Sequence, residues 1–108
     1  MIIMGLRLYV RTPGTSLEGF EVSAGVVDQV MFRYRDVYKD LGFVSDGDKN
    51  AYISNRVTAI MFAKVIVNFN KYYPRGKYDT DLSRFYQFLL DCEKWCREHH
   101  TRLDLGIG

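Results

Sequence analysis

The sequence has few of the residues on which enzymes, metalloproteins and secreted proteins depend. Its 108 residues include only two cysteines, two histidines and two prolines. Two cysteines cannot supply the disulfide framework of a small secreted domain, and the start of the chain lacks a basic, signal-like segment. No G-x-G-x-x-G, P-loop, H-E-x-x-H or G-x-S-x-G motif occurs. We therefore expect no enzyme activity, no cofactor and a cytoplasmic location.

Long apolar runs and strong net charge are also missing. The longest apolar stretch, residues 57–67, is interrupted by Thr58 and Lys64. As a helix it would rise only about 17 Å, whereas a bilayer core is roughly 30 Å thick. We therefore expect no membrane insertion. The net charge of +2 is too small to indicate nucleic-acid binding by itself.

Apolar and aromatic side chains, by contrast, are plentiful. Hydrophobic residues make up 47% of the chain and aromatic residues 15%, which is enough for one core in a chain of this length. No repeat or linker composition divides the sequence. We predict a single compact domain over residues 1–108, of the α+β class.

Alternating patterns at the two ends of the chain predict strands. In residues 6–11, Leu and Val alternate with Arg and Tyr, as in a strand with one face on a core. Residues 12–16 have turn composition, so residues 20–22 are able to return as a second strand of a hairpin. Leu and Ile alternate again in residues 103–107, which predicts a C-terminal strand beside the first.

Helical periodicity predicts three helices between these strands, at about residues 24–41, 51–72 and 81–100. The first has one apolar arc, and Gly42 followed by Phe43 is typical of a helix C-terminus. The third is expected to be capped by a polar side chain among residues 79–81.

The second predicted helix, residues 51–72, is apolar nearly all round. We therefore expect it to be the central element, packed by neighbours on both sides. Its β-branched residues leave a two-strand alternative open. Helix is preferred because no Gly or Pro interrupts the stretch.

Both cysteines and both histidines lie on the third predicted helix, as Cys92, Cys96, His99 and His100. Thiolate and imidazole are zinc ligands, but Cys92 and His100 are separated by about 12 Å of helix rise. No second ligand pair exists elsewhere in the sequence. We therefore expect no metal, with Cys92 and Cys96 acting as small core residues and the histidines ending the helix.

The segment that follows the second predicted helix interleaves cations with aromatic residues. Such a combination suits single-stranded nucleic acid, because cations neutralise phosphates and bases stack on aromatic rings. The alternative is a solvated loop whose rings pack on the domain. The residues are Lys71, Tyr72, Tyr73, Arg75, Lys77 and Tyr78.

Surplus aromatic surface favours a protein partner over catalysis. Phe32 falls on the polar face of the first helix, and Phe88 and Trp95 widen the apolar arc of the third. We predict a non-enzymatic protein-binding module that contacts its partner through these three residues and forms a homo-oligomer. Its small size would fit an inhibitor of a larger host complex, encoded by a virus or mobile element. Nucleic-acid binding by residues 71–78 is the alternative.

Overall fold

The computed structural model describes residues 6–22, 33–43, 55–74, 76 and 78–107. Phe32, Arg75, Lys77 and most of the first predicted helix lie outside the described residues. The described chain confirms the α+β class, with helices between strands at the two ends. Its elements are β1 (Leu6–Val10), β2 (Phe20–Val22), α1 (Arg35–Asp40), β3 (Asn55–Val57), α2 (Ala59–Tyr72), α3 (Thr80–His99) and β4 (Leu103–Ile107).

The strands form one antiparallel sheet in the order β2-β1-β4-β3. The predicted N-terminal hairpin is β1 with β2, and the predicted C-terminal strand is β4, which pairs with β1. Leu8 lies opposite Ile107 and Val10 opposite Leu105. The predicted strands at both ends of the chain, and their adjacency, are thus confirmed.

One face of the sheet belongs to the core and the other faces away from the helices. Because side chains alternate along a strand, Leu8, Val57, Leu103 and Leu105 point to the same side, and all four are buried. They join the apolar faces of the helices in one hydrophobic cluster. The opposite face carries the residues that alternate with them, which include Tyr9, Arg56, Asp104 and Gly106.

A tyrosine covers a glycine on this outer face. Tyr9 lies directly opposite Gly106 across β1 and β4. A Cβ atom at position 106 would lie 2.6 Å from Cζ of Tyr9, so the ring sits where a side chain would otherwise project. Gly106 is buried by this contact although it lies on the outer face.

The end of α1 has the predicted glycine cap. Gly42 has a φ of +88°, a conformation that favours glycine. Its amide donates to the carbonyl of Lys39 at 2.9 Å, and the amide of Phe43 donates to Tyr38 at 3.0 Å. This is the hydrogen-bond pattern of a Schellman motif. The side-chain amide of Asn55 donates to the carbonyl of Leu41, which joins this helix end to β3.

The second helix begins later than predicted. Residues 55–57, which fell inside the predicted helix, form strand β3, and α2 starts at Ala59. The reason lies in tertiary pairing, because Val57 lies opposite Leu103 on β4 and is fully buried. Thr58 then caps the helix, its hydroxyl accepting from the amide of Met61 at 3.3 Å.

The third helix runs antiparallel to α2 from the predicted cap. The carboxylate of Asp79 accepts from the amide of Leu82 at 2.9 Å. At its start, Phe85 meets Phe69 near the end of α2, with ring centroids 5.6 Å apart. Near its end, Cys96 reaches the carbonyl of Val57, just before α2 begins. None of the described helices is long and apolar enough to cross a membrane.

Candidate functional site

The two thiols are part of the core. Cys92 and Cys96 are both buried and unpaired, and Sγ of Cys96 lies 3.8 Å from the carbonyl oxygen of Val57. Burial raises the pKa of Cys92 well above its usual value and also raises that of Cys96, so each thiol stays protonated at neutral pH. A buried, protonated thiol is a poor nucleophile and a poor metal ligand.

The histidines close the end of α3. Nδ1 of His99 lies 2.9 Å from the carbonyl oxygen of Trp95, and the ring stacks on the Trp95 indole with centroids 4.3 Å apart. His100 is the C-cap and has a left-handed backbone conformation. Among the residues that the structure describes, no group of three or more His, Cys, Asp or Glu side chains is arranged to hold a metal.

The predicted partner residues do not form one exposed aromatic patch in the described structure. Phe88 is only 5% exposed and belongs to the core cluster. Trp95 is half-buried and covered on one side by His99. Phe32 lies outside the described residues. The surface available for a partner must therefore be sought elsewhere on the described chain.

The tyrosines after α2 are mostly engaged with the fold. The hydroxyl of Tyr73 donates to the carbonyl of Arg33, and the hydroxyl of Tyr78 donates to Oδ1 of Asn70 at 2.7 Å. Burial raises the pKa of Tyr73 to about 12. Tyr72 is 39% exposed, and its hydroxyl donates to the carboxylate of Asp40. The ring of Tyr73 packs on Phe69, and the ring of Tyr78 packs on Phe69 and Tyr86, so these aromatic neighbours leave little free face for a stacked base.

An exposed apolar stripe runs along the outer side of α2. Ile60 is 71% exposed and Val67 is 58% exposed, and they lie on the same side of the helix. With Ala63, Lys64 and Asn68 they line a shallow depression of about 460 Å³. We call these five residues the α2 stripe. The inner side of the helix is buried through Phe62, Val65 and Phe69.

The helix does pack against two described neighbours, α1 and α3, as predicted, but the α2 stripe shows that it is not buried all round. The sequence pattern counted apolar residues around the whole helix, but only the inner ones meet the described neighbours. The stripe is also basic at its borders, because α2 carries Lys64 and Lys71 and its sequence contains no acidic residue. Asp40 of α1 lies at one edge, where it accepts from the side-chain amide of Asn68 at 3.2 Å, so the stripe is an apolar surface with lysines on α2 and one acid beside it.

A second surface, which the sequence analysis did not find, lies at the opposite end of α2 from residues 71–78. Two depressions, of about 650 and 270 Å³, lie next to each other, because Thr101 and Arg102 line both. We call the two together the arginine trough. The basic side chains that line it are Arg11, Arg56, Arg97, His100 and Arg102.

Backbone pairing brings these distant residues together. The amide of Arg11 donates to the carbonyl of Asp104 at 2.6 Å, and the amide of Asp104 donates to the hydroxyl of Thr12 at 2.7 Å. Arg56 lies directly opposite Asp104 across β3 and β4. The arginines come from four segments, so no local sequence pattern reveals them. Of these arginines, only Arg11 belongs to the alternating pattern of residues 6–11, which placed it on the outer face of the predicted strand.

The trough carries more positive than negative charge. Of the described residues that line it, Asp104 alone is acidic. Arg97 is paired with Glu93 on α3, with Nε and Oε1 3.0 Å apart. Neither Arg56 nor Arg102 takes part in an ion pair within the described chain, and both are exposed.

The described chain thus offers two surfaces of different chemistry, the apolar α2 stripe and the cationic arginine trough. Comparison with protein-family models, curated proteins and solved structures finds no significant match.

Proposed function

We propose that this chain is a non-enzymatic protein-binding module whose α2 stripe binds a short amphipathic helix with acidic flanks. The observation that carries the proposal is the exposure of Ile60 and Val67, one above the other on the same side of α2. Burying an aliphatic side chain fully contributes about 1.5–3 kcal/mol. Two such side chains, with Ala63 allowing close approach between them, make a plausible centre for an interface.

The lysines on α2 indicate which kind of partner helix would bind. Lys64 is part of the stripe and Lys71 lies one turn beyond Val67, and α2 itself carries no acidic residue. A partner with Asp or Glu beside its apolar residues would pair with these cations at the rim. Rim charges act mainly on partner choice and association rate, so they discriminate between helices of equal hydrophobicity.

The size of the stripe favours a helical segment over a second copy of this chain. From Ile60 to Val67 the stripe extends only about 11 Å along the helix. A stable dimer buries roughly 800 Å² on each partner, far more than one row of side chains supplies. In a dimer through this face, the lysines of the two copies would also lie close to one another. A short acidic helix meets neither difficulty.

Two designed peptides test the proposal. Both are labelled amphipathic helices with the same leucine stripe, one flanked by Glu and the other by Lys, and binding is followed by fluorescence anisotropy. We expect the Glu-flanked peptide to bind more tightly, Val67→Ser to weaken it by roughly tenfold through lost apolar burial, and Lys64→Glu to reverse the preference. The matched control is Lys94→Glu, an exposed lysine on α3.

Three results would overturn the proposal. Equal binding of both peptides would remove the charge argument, and an unchanged affinity in Val67→Ser would remove the apolar one. A concentration-dependent dimer in light scattering that Val67→Ser abolishes would show that a second copy occupies the stripe.

The finer predictions from the sequence stay predictions. These are self-association, partner contact through Phe32, Phe88 and Trp95, a cytoplasmic location, and inhibition of a host complex by a virus- or mobile-element-encoded protein. Nucleic-acid binding by residues 71–78 also stays an alternative, although the packing of Tyr73 and Tyr78 supports it less than the sequence did.

A further inference from the structure

We propose that the arginine trough binds the phosphate backbone of a single-stranded nucleic acid. The surface is distinct from residues 71–78, because the length of α2, about 21 Å for 14 residues, separates the two. It also goes beyond the proposed function, which uses the outer side of α2.

Two arginines of the trough are available for a ligand. Arg56 and Arg102 are exposed and make no ion pair within the described chain, although Asp104 lies directly across the sheet from Arg56. The guanidinium group presents a planar fork of donors that matches phosphate oxygens. The hydroxyl of Thr101, between the two depressions, adds a neutral donor.

The arrangement fits a linear anion better than a single phosphate. A site for one phosphate needs donors that converge on one point, whereas these side chains are spread over two neighbouring depressions. Arg11 and Arg56 line one depression, Arg97 and His100 line the other, and Arg102 lines both. Successive phosphates of one strand would meet successive cations.

An aromatic ring lies beside the trough. Tyr9 lies on β1, two residues before Arg11, which follows the end of that strand and whose amide still donates to Asp104. Continued alternation places the two side chains on the same outer face, about 7 Å apart along the chain. The ring is half-buried because it covers Gly106, which fixes its orientation on the sheet. Aromatic rings next to a cationic groove are the platforms on which unpaired bases stack.

The test measures the anisotropy of labelled oligothymidylate at several salt concentrations. For single strands, the slope of log affinity against log salt changes by about 0.7 for each phosphate contact. Removal of one arginine that contacts a phosphate should therefore lower the affinity roughly eightfold at about 50 mM salt. We expect Arg56→Gln and Arg102→Gln each to show this loss and the shallower slope. Lys71→Gln and Lys94→Gln, which remove the same charge elsewhere, should bind as the unmodified chain does.

A second pair of variants tests the ring. Loss of a stacked base costs about 1–3 kcal/mol, so Tyr9→Leu should weaken binding by at least roughly fivefold. Tyr9→Phe keeps the ring and should bind normally. Thermal unfolding followed by circular dichroism identifies any variant that is not folded. If Tyr9→Leu is not folded, the arginine variants alone test whether the trough binds the oligonucleotide.

The proposal fails if the oligonucleotide does not bind, or if Lys71→Gln weakens binding as much as Arg102→Gln. It also fails if a polyglutamate peptide competes as well as unlabelled oligothymidylate, which would indicate an acidic protein segment, or if pyrophosphate binds as tightly as the oligonucleotide. Ile60 borders both the trough and the α2 stripe. No variant here changes Ile60, so failure at the trough leaves the protein-binding proposal intact.

Discussion

Replacement of Gly42 by alanine should destabilise the fold in two separable ways. The residue has a φ of +88°, and a Cβ atom there would overlap the side-chain amide of Asn55. An alanine in the left-handed region costs about 1 kcal/mol or somewhat more. Displacing Asn55 breaks its hydrogen bond to the carbonyl of Leu41, which costs about 1 kcal/mol more. The total is about 2–3 kcal/mol.

Gly14 provides the matched control. Its φ is +79°, but a Cβ atom there meets nothing within 4 Å. Gly14→Ala should therefore lose only about 1 kcal/mol, the conformational part of the effect. Free energies of unfolding come from urea denaturation followed by circular dichroism, with the slopes compared to confirm that the variants unfold in the same way.

A double-mutant cycle isolates the contact with Asn55. Once Asn55 is alanine, Gly42→Ala should cost only its conformational part, so the two changes together should cost about 1 kcal/mol less than their sum. The reasoning is refuted if Gly42→Ala costs no more than Gly14→Ala. It is equally refuted if the effects at positions 42 and 55 simply add.

Two further predictions concern titratable groups. The pKa of Asp79 is lowered by the helix amide that it caps and by a neighbouring arginine, so its stabilising effect is present above about pH 4 and is lost as pH falls through the lower folded-state pKa. Asp79→Asn should keep the cap but abolish this part of the acid sensitivity, whereas Asp79→Ala should lose about 1 kcal/mol at neutral pH, both measured by urea unfolding across the pH range. Because burial raises the pKa of Cys92 and Cys96, neither thiol should react with Ellman's reagent at neutral pH until denaturant is added. Rapid reaction of the native protein would show that α3 opens readily.

Local patterns were sufficient for much of the fold. Alternation predicted β1 and β4, the glycine at position 42 predicted the end of α1, and the acidic residue before α3 predicted its cap. Each of these features depends on residues close in sequence. Strand β3 was missed because three residues are too few to show a period, and its partner β4 is distant in the chain.

The candidate surfaces depended on information that no local pattern contains. Periodicity identified α2 as apolar, but which of its sides meets a neighbour is decided by packing. Phe88 was expected at the surface because it widens the apolar arc of α3, yet its side chain is buried in the core. The arginine trough exists only after β1, β3 and β4 have paired, since those pairings gather its cations.

The pairing of β1 with β4 also has a consequence for how the protein reaches its native state. Leu8 meets Ile107, so the two central strands of the sheet come from opposite ends of the chain. Such non-local contacts require closure of a loop of many residues, and they form slowly. During synthesis the sheet lacks a central strand until β4 has emerged, which leaves Leu8 and the apolar sides of the helices exposed until then. We therefore expect the helices to associate first, with closure of the sheet as the slow step.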